Sequence, residues 1–197
     1  MNASALSIAP ESTKAHLPGE VGIWVFVFGD MMIFTLFFCT FVFYRAQEVE
    51  LFRASQLVLN QNYGVINTML LLTSSAFVFH AVRSIREGLA RRGSVLLALA
   101  FLCGGGFAVI KIMEYSEKIG HDITPVTNNF YMFYFMLTGI HFMHVLLGLG
   151  VLVFLWLRSR RASITPGDIV LFESGATFWH MVDLLWIVLF PLLYLMK

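Results

Sequence analysis

The chain has 197 residues, 58% of them apolar and only 13% charged, with a mean hydropathy of +0.79. Soluble globular chains carry about 25% charged residues, so this composition excludes a disordered, collagen-like or freely soluble chain. Lys plus Arg at 13 against Asp plus Glu at 12 leaves a net charge of +1, which offers no basic field for nucleic acid.

The first twenty residues are polar, carry Pro10 and Pro18, and lack the apolar core of a signal peptide. They are expected to form a short tail (1–20) ahead of one membrane domain (21–197). A transmembrane helix needs about 20 mainly apolar residues, and five such runs follow in order: 21–44, 63–82, 94–113, 130–157 and 175–196. In lipid, backbone polar groups must be satisfied within the segment unless a barrel closes, and barrel alternation is absent. The expected fold is therefore all-α, a polytopic bundle of five transmembrane helices. Connections of about 10 to 20 residues are expected, with 119–129 and its Pro125 forming an external loop. Eight of the 13 basic residues fall on the side of the N-terminus and five on the other. The positive-inside rule then puts the N-terminus in the cytoplasm. Cys39 and Cys103 lie far apart inside apolar runs, which argues against a disulfide framework or a thiolate metal site.

Polar residues inside the runs are expensive and so informative. Asp30 sits about ten residues into the first run, where a carboxylate costs roughly 2.5–3.5 kcal/mol. It reads as a neutral carboxyl bonded between helices or as a proton relay. In the second run Asn67, Thr68, Thr73, Ser74, Ser75 and His80 supply small, hydrogen-bonding groups for helix contacts. The third holds Gly104, Gly105 and Gly106, suited to close packing or a bend, and then Lys111, Glu114 and Lys118, spaced for surface ion pairs at the outer interface. His141 and His144 share a face of the fourth run, with Gly139, Gly148 and Gly150 around them. Glu173, His180 and Asp183 form a polar stripe on the fifth, with Trp179 and Trp186 in a neighbouring row. The histidines could ligate a metal and the stripe could form a carboxylate–histidine pair. Interhelical packing is the favoured reading for both, because no nucleophile or complete ligand set accompanies them.

The sequence Gly139-Ile-His141-Phe-Met-His144-Val145, with Gly148, resembles the Gly-x-His-x-x-His-Val motif of the subunit III family of haem-copper respiratory oxidases. Glu173-Ser-Gly175 and Trp179-His180-Met-Val182-Asp183-Leu-Leu-Trp186 resemble that family's Glu-x-Gly and Trp-His-x-Val-Asp-x-x-Trp signature. Asn67-Thr68, Leu71 to Ser75 and Glu114-Tyr115 match weaker positions, and the resemblance runs from about Gly19 to the C-terminus. Mitochondrial-type members have seven spans. The five-span pattern is similar to bacterial quinol-oxidase subunit III and to NorE-type proteins associated with nitric oxide reductase. Asp30 stands where many seven-span members carry a buried glutamate, and aspartate there resembles the quinol-oxidase branch.

The resemblance implies a non-catalytic, multi-pass subunit of the bacterial inner membrane, part of an oxidoreductase complex without carrying its redox centres. It implies support of assembly, stability and proton uptake, with haem and copper in a partner, catalytic subunit I of an oxidase or of nitric oxide reductase. Phospholipid is a further expected ligand. The residues it singles out for structural, proton-linked or lipid-linked roles are Asp30, Glu114, His141, His144, Glu173, Trp179, His180, Asp183 and Trp186; no catalytic, cofactor-binding or metal residue is expected. Two readings from other classes are a small ion transporter using Asp30, Glu173 and Asp183, and a metalloenzyme using His141, His144 and His180.

Overall fold

The computed structural model describes residues 19–161 and 163–196. The tail expected over 1–20 lies almost wholly outside the described residues. Among the described residues every regular element is helical: α1 (Val21–Gln47), α2 (Val49–Leu57), α3 (Gln61–Arg86), α4 (Ala90–Gly120), α5 (Asn129–Ser159) and α6 (Pro166–Phe190), which ends in a π-helical turn, Pro191–Leu195. Five of these, α1, α3, α4, α5 and α6 with its π turn, are long and apolar enough to cross a membrane. At 1.5 Å per residue these spans of 26 to 31 residues run about 39 to 47 Å, enough for the hydrocarbon core and both headgroup layers.

The helices outrun the apolar stretches that betray them, because their ends are set by capping. Asn60 accepts from the Asn62 amide at the start of α3, and Asn128 from that of Tyr131 at the start of α5. At α6, Thr165 and Asp168 form a reciprocal capping box with Pro166 in the first turn, so this helix begins nine residues before the apolar run. α3 ends in a Schellman arrangement: Leu89 N–H bonds Ser84 C=O at 2.8 Å, Gly88 N–H bonds Ile85 C=O, and Gly88 takes a φ of +79° that only glycine adopts freely. The expected long connections shrink accordingly, to three residues between α3 and α4 and eight between α4 and α5.

α2 is an element that the apolar-run reading passes over. Its nine residues are too few to span, yet Phe52, Ser55 and Gln56 are buried. Phe52 packs edge-on against Phe41 of α1 and Phe130 of α5. Pro191 has no N–H to continue the helical ladder, which breaks α6 into its π turn. Side chains of the neighbouring segments take the carbonyls there: Gln56 donates to Leu192 and Leu193, Gln61 to Tyr194 and Arg45 to Met196.

α3, α4, α5 and α6 close into a ring in that order, and α1 lies against the outside of α5 and α6. Single glycines admit large rings into this unit. A Cβ on Gly104 would stand 2.8 Å from the Trp179 ring, and one on Gly148 would stand 2.6 Å from it. Gly105, Gly139 and Gly150 meet nothing within 4 Å, so only part of each glycine cluster serves close approach, and α4 runs unbroken through its triplet. α1 is the least enclosed span, with Val25, Phe28, Met32 and Leu36 all exposed.

Candidate functional site

The residues singled out by the sequence fall into three places. The first joins α1 to α5: Asp30 Oδ1 lies 3.2 Å from His144 Nε2. His144 Nδ1 stands 2.8 Å from the Ile140 carbonyl, which can only accept, so Nδ1 carries a hydrogen. The other ring nitrogen, Nε2, is thereby turned toward the Asp30 carboxyl. Phe34, one turn beyond Asp30, covers the imidazole edge-on. Asp30 and His144 are thus partners across two helices, a relation that neither helix reveals alone.

The second place is the α3–α6 seam. Glu173 accepts from Arg86 Nε at 3.0 Å and from the Gly19 N–H at 2.8 Å, so it ties the start of α1 and the end of α3 to α6. Ser74 donates to the Ala100 carbonyl of α4. Ser75 Oγ lies 2.6 Å from His180 Nδ1 and also faces the Asp183 carboxyl. No hydrogen bond or ion pair joins His180 to Asp183 among the described residues, so the carboxylate–histidine pair considered from their spacing does not form; a hydroxyl from α3 stands between them. Trp186 Nε1 donates to Thr68 Oγ1 at 3.0 Å, while Trp179 fills the space beside Gly104 and Gly148.

The third place corrects an expectation. Lys111 and Glu114 do not pair on the surface: their side chains are 1% and 2% exposed and lie 2.9 Å apart inside the bundle. Lys111 Nζ also donates to Tyr194 OH at 3.0 Å and lies over the rings of Tyr115, Tyr134, Trp186 and Tyr194 at 5.1–5.6 Å. The second Glu114 oxygen accepts from Tyr134 OH at 2.8 Å and Tyr194 OH at 2.6 Å. An aromatic cage thereby satisfies a desolvated ion pair, the condition under which such a pair persists. His141 adjoins the cage, fully buried, stacked on Trp186 and edge-on to Phe107, and neither ring nitrogen has a protein partner among the described residues.

The sequence reading missed the roles of Arg86, Tyr134 and Tyr194 and the burial of Lys111. A signal for the last was present. Leu97, Ala100, Gly104, Phe107, Lys111, Glu114 and Lys118 repeat at alternating steps of three and four, and all are buried, so Lys111 and Glu114 share the stripe of the core residues. The three histidines considered as ligands do not converge: no group of three or more His, Cys, Asp or Glu side chains placed to hold a metal ion occurs among the described residues.

Comparison with known proteins matches residues 11–197 to the family described as cytochrome c oxidase subunit III. Similar proteins include cytochrome c oxidase subunit 3 of Bacillus sp. (strain PS3), 27% identical over 100% of this chain and 95% of its own length. Quinol oxidase subunit 3 of Bacillus subtilis (strain 168) is 26% identical, over 89% of this chain and 86% of its own. Cytochrome bo(3) ubiquinol oxidase subunit 3 of Pseudomonas putida is 26% identical, over 89% and 84% respectively.

Proposed function

The chain belongs to the cytochrome c oxidase subunit III family, and from that premise we propose that it works as the non-catalytic subunit III of a haem-copper oxidase in a bacterial inner membrane. In this reading it braces a catalytic subunit I that holds the haem and copper, supports that partner's assembly and proton uptake, and keeps phospholipid against its exposed helix faces. In this reading the N-terminus lies in the cytoplasm, which the arginine-rich α3–α4 and α5–α6 connections support.

The observation that carries the reading is where the motif side chains direct their polar atoms. Asp30 with His144, Glu173 with Arg86, His180 with Ser75 and Trp186 with Thr68 each tie one helix to another. The buried acids and imidazoles are thus largely engaged in holding helices together, and redox chemistry is left to the partner. The relatives named above are oxidase subunits, which supports an oxidase partner over nitric oxide reductase.

The test is affinity purification of the full chain in mild detergent, followed by an optical spectrum and identification of co-eluting chains. A haem-bearing oxidase subunit is expected to co-elute, with no haem spectrum from this chain once separated. Isolation of the chain with stoichiometric haem or copper of its own, or with a nitric oxide reductase, would overturn the proposal.

A further inference from the structure

Lys118 stands one turn beyond Glu114 on the stripe of α4 that faces the bundle, and it is 7% exposed. The surface pair expected of it with Glu114 does not form: Lys118 has no ion pair within 4.0 Å and no hydrogen bond among the described residues. Its ammonium lies over the Tyr134 ring at 5.4 Å, a contact that draws on its charge and leaves its N–H groups without acceptors. Glu114, the nearest acid on the stripe, directs its oxygens to Lys111, Tyr134 and Tyr194. A buried ammonium without acceptors is costly, so another molecule must supply them.

Lys118 lines a cavity of about 160 Å³ at the end of α4, room for several water molecules. The buried residues Glu114 and Lys118 form its floor, and the exposed residues Asn60, Glu117 and His121 form its rim. Glu114 lies six residues, about 9 Å, inside Gly120 at the end of α4, so the cavity runs from the face opposite the N-terminus down to the Lys111–Glu114 cage. Its lining also selects the occupant. Lys118 and Glu117 are opposite in sign, and Tyr63 faces Glu117, so the walls favour neither an anion nor a cation. An acyl chain would lay methylenes against an ammonium and two carboxylates. A small neutral molecule that both donates and accepts hydrogen bonds meets every group in the lining.

We propose that this cavity is a site for buried water, whose molecules accept from the Lys118 ammonium and carry the aqueous phase of the face opposite the N-terminus as far as Glu114, where the cage stops them. Two lysines on one stripe then differ in kind. Lys111 is dry and holds helices together, whereas Lys118 is hydrated and exchanges its protons with the outer aqueous phase. The site needs only the chain's place in a membrane, so the fate of the oxidase reading leaves it standing.

The chain has four lysines, Lys14, Lys111, Lys118 and Lys197, so their ammonium groups can be told apart by nuclear magnetic resonance of the full chain in lipid bilayers with isotope-labelled lysine. Substitution to arginine assigns Lys14, Lys118 and Lys197, and Lys111 follows by elimination. Lys118 is expected to receive magnetisation from water and to exchange protons with it. Lys111 should exchange about 100-fold more slowly, since its protons leave only when a buried pair opens. Val58→Trp adds a ring to the cavity lining and should slow exchange at Lys118 while sparing Lys111. Val126→Trp, at an exposed residue outside the lining, should slow neither and controls for the added bulk. Exchange at Lys118 as slow as at Lys111 would show a dry cavity, and magnetisation from acyl-chain protons in place of water would show a lipid in it. Unchanged exchange at Lys118 in the Val58→Trp chain would show that water arrives by another route; each of these results would overturn the site.

Discussion

The Lys111–Glu114 cage invites a double-mutant cycle. Glu114 accepts three hydrogen bonds at 2.6–2.9 Å and is 2% exposed, and Lys111 has no solvent to turn to at 1%. Glu114→Leu strands a buried ammonium and two tyrosine hydroxyls. Lys111→Met strands a buried carboxylate that keeps only its tyrosine donors. Removing one partner of such a pair costs about 3–5 kcal/mol, so the two single changes sum to about 6–10 kcal/mol. The double variant strands neither charge, and Tyr134 and Tyr194, already 3.4 Å apart at their hydroxyls, can bond each other. Replacing a buried pair by apolar side chains is often near neutral, so the double variant should lose about 1–3 kcal/mol and the coupling should exceed about 3 kcal/mol. The assay is unfolding of the full chain in mixed micelles by titration with a denaturing detergent, followed by helicity. Effects of the two changes that add within about 0.5 kcal/mol, as distant sites do, would refute the claim that the charges depend on each other.

The same assay checks three further expectations. Gly148→Ala drives a methyl into the Trp179 ring and should cost about 1–3 kcal/mol, whereas Gly105→Ala meets open space and should be neutral or stabilise by up to about 1 kcal/mol; equal effects would contradict the packing. Asp30→Asn should cost under about 1 kcal/mol, since an amide N–H can donate to a neutral His144 Nε2, while Asp30→Ala orphans that nitrogen and should cost about 1–3 kcal/mol. Arg86→Gln leaves Glu173 with the Gly19 amide and should speed hydrogen exchange over the first turn of α1, with little change in global stability because Arg86 is half exposed; unchanged exchange would show that Glu173 does not tether that turn through the pair.

Architecture was legible in the chain because it is dictated by solvent. A run of about 20 apolar residues has one low-energy arrangement in hydrocarbon, so five spans could be read from composition along the chain. Helix ends were less legible, since Thr165 with Asp168 and the Gly88 turn act outside the apolar runs. α2 escaped because nine residues with a few buried side chains carry little hydropathy signal. At the candidate site, Asp30, His144, Glu173, His180, Asp183 and Trp186 were identifiable as costly or patterned side chains within their own helices, but their partners were not.

The sequence by itself determined that this is a five-span helical membrane protein and which polar side chains must find company inside it, because transfer into lipid depends on each segment's own composition. Only the tertiary structure decided who keeps that company: Asp30 meets His144 across 114 positions, Ser75 rather than Asp183 bonds His180 Nδ1, and Lys111 with Glu114 turns into a tyrosine cage instead of toward the aqueous face. Helical periodicity defines a direction around one axis, whereas a contact also needs the rotation, depth and neighbour of the second helix, and those are set by how α3, α4, α5 and α6 close on one another.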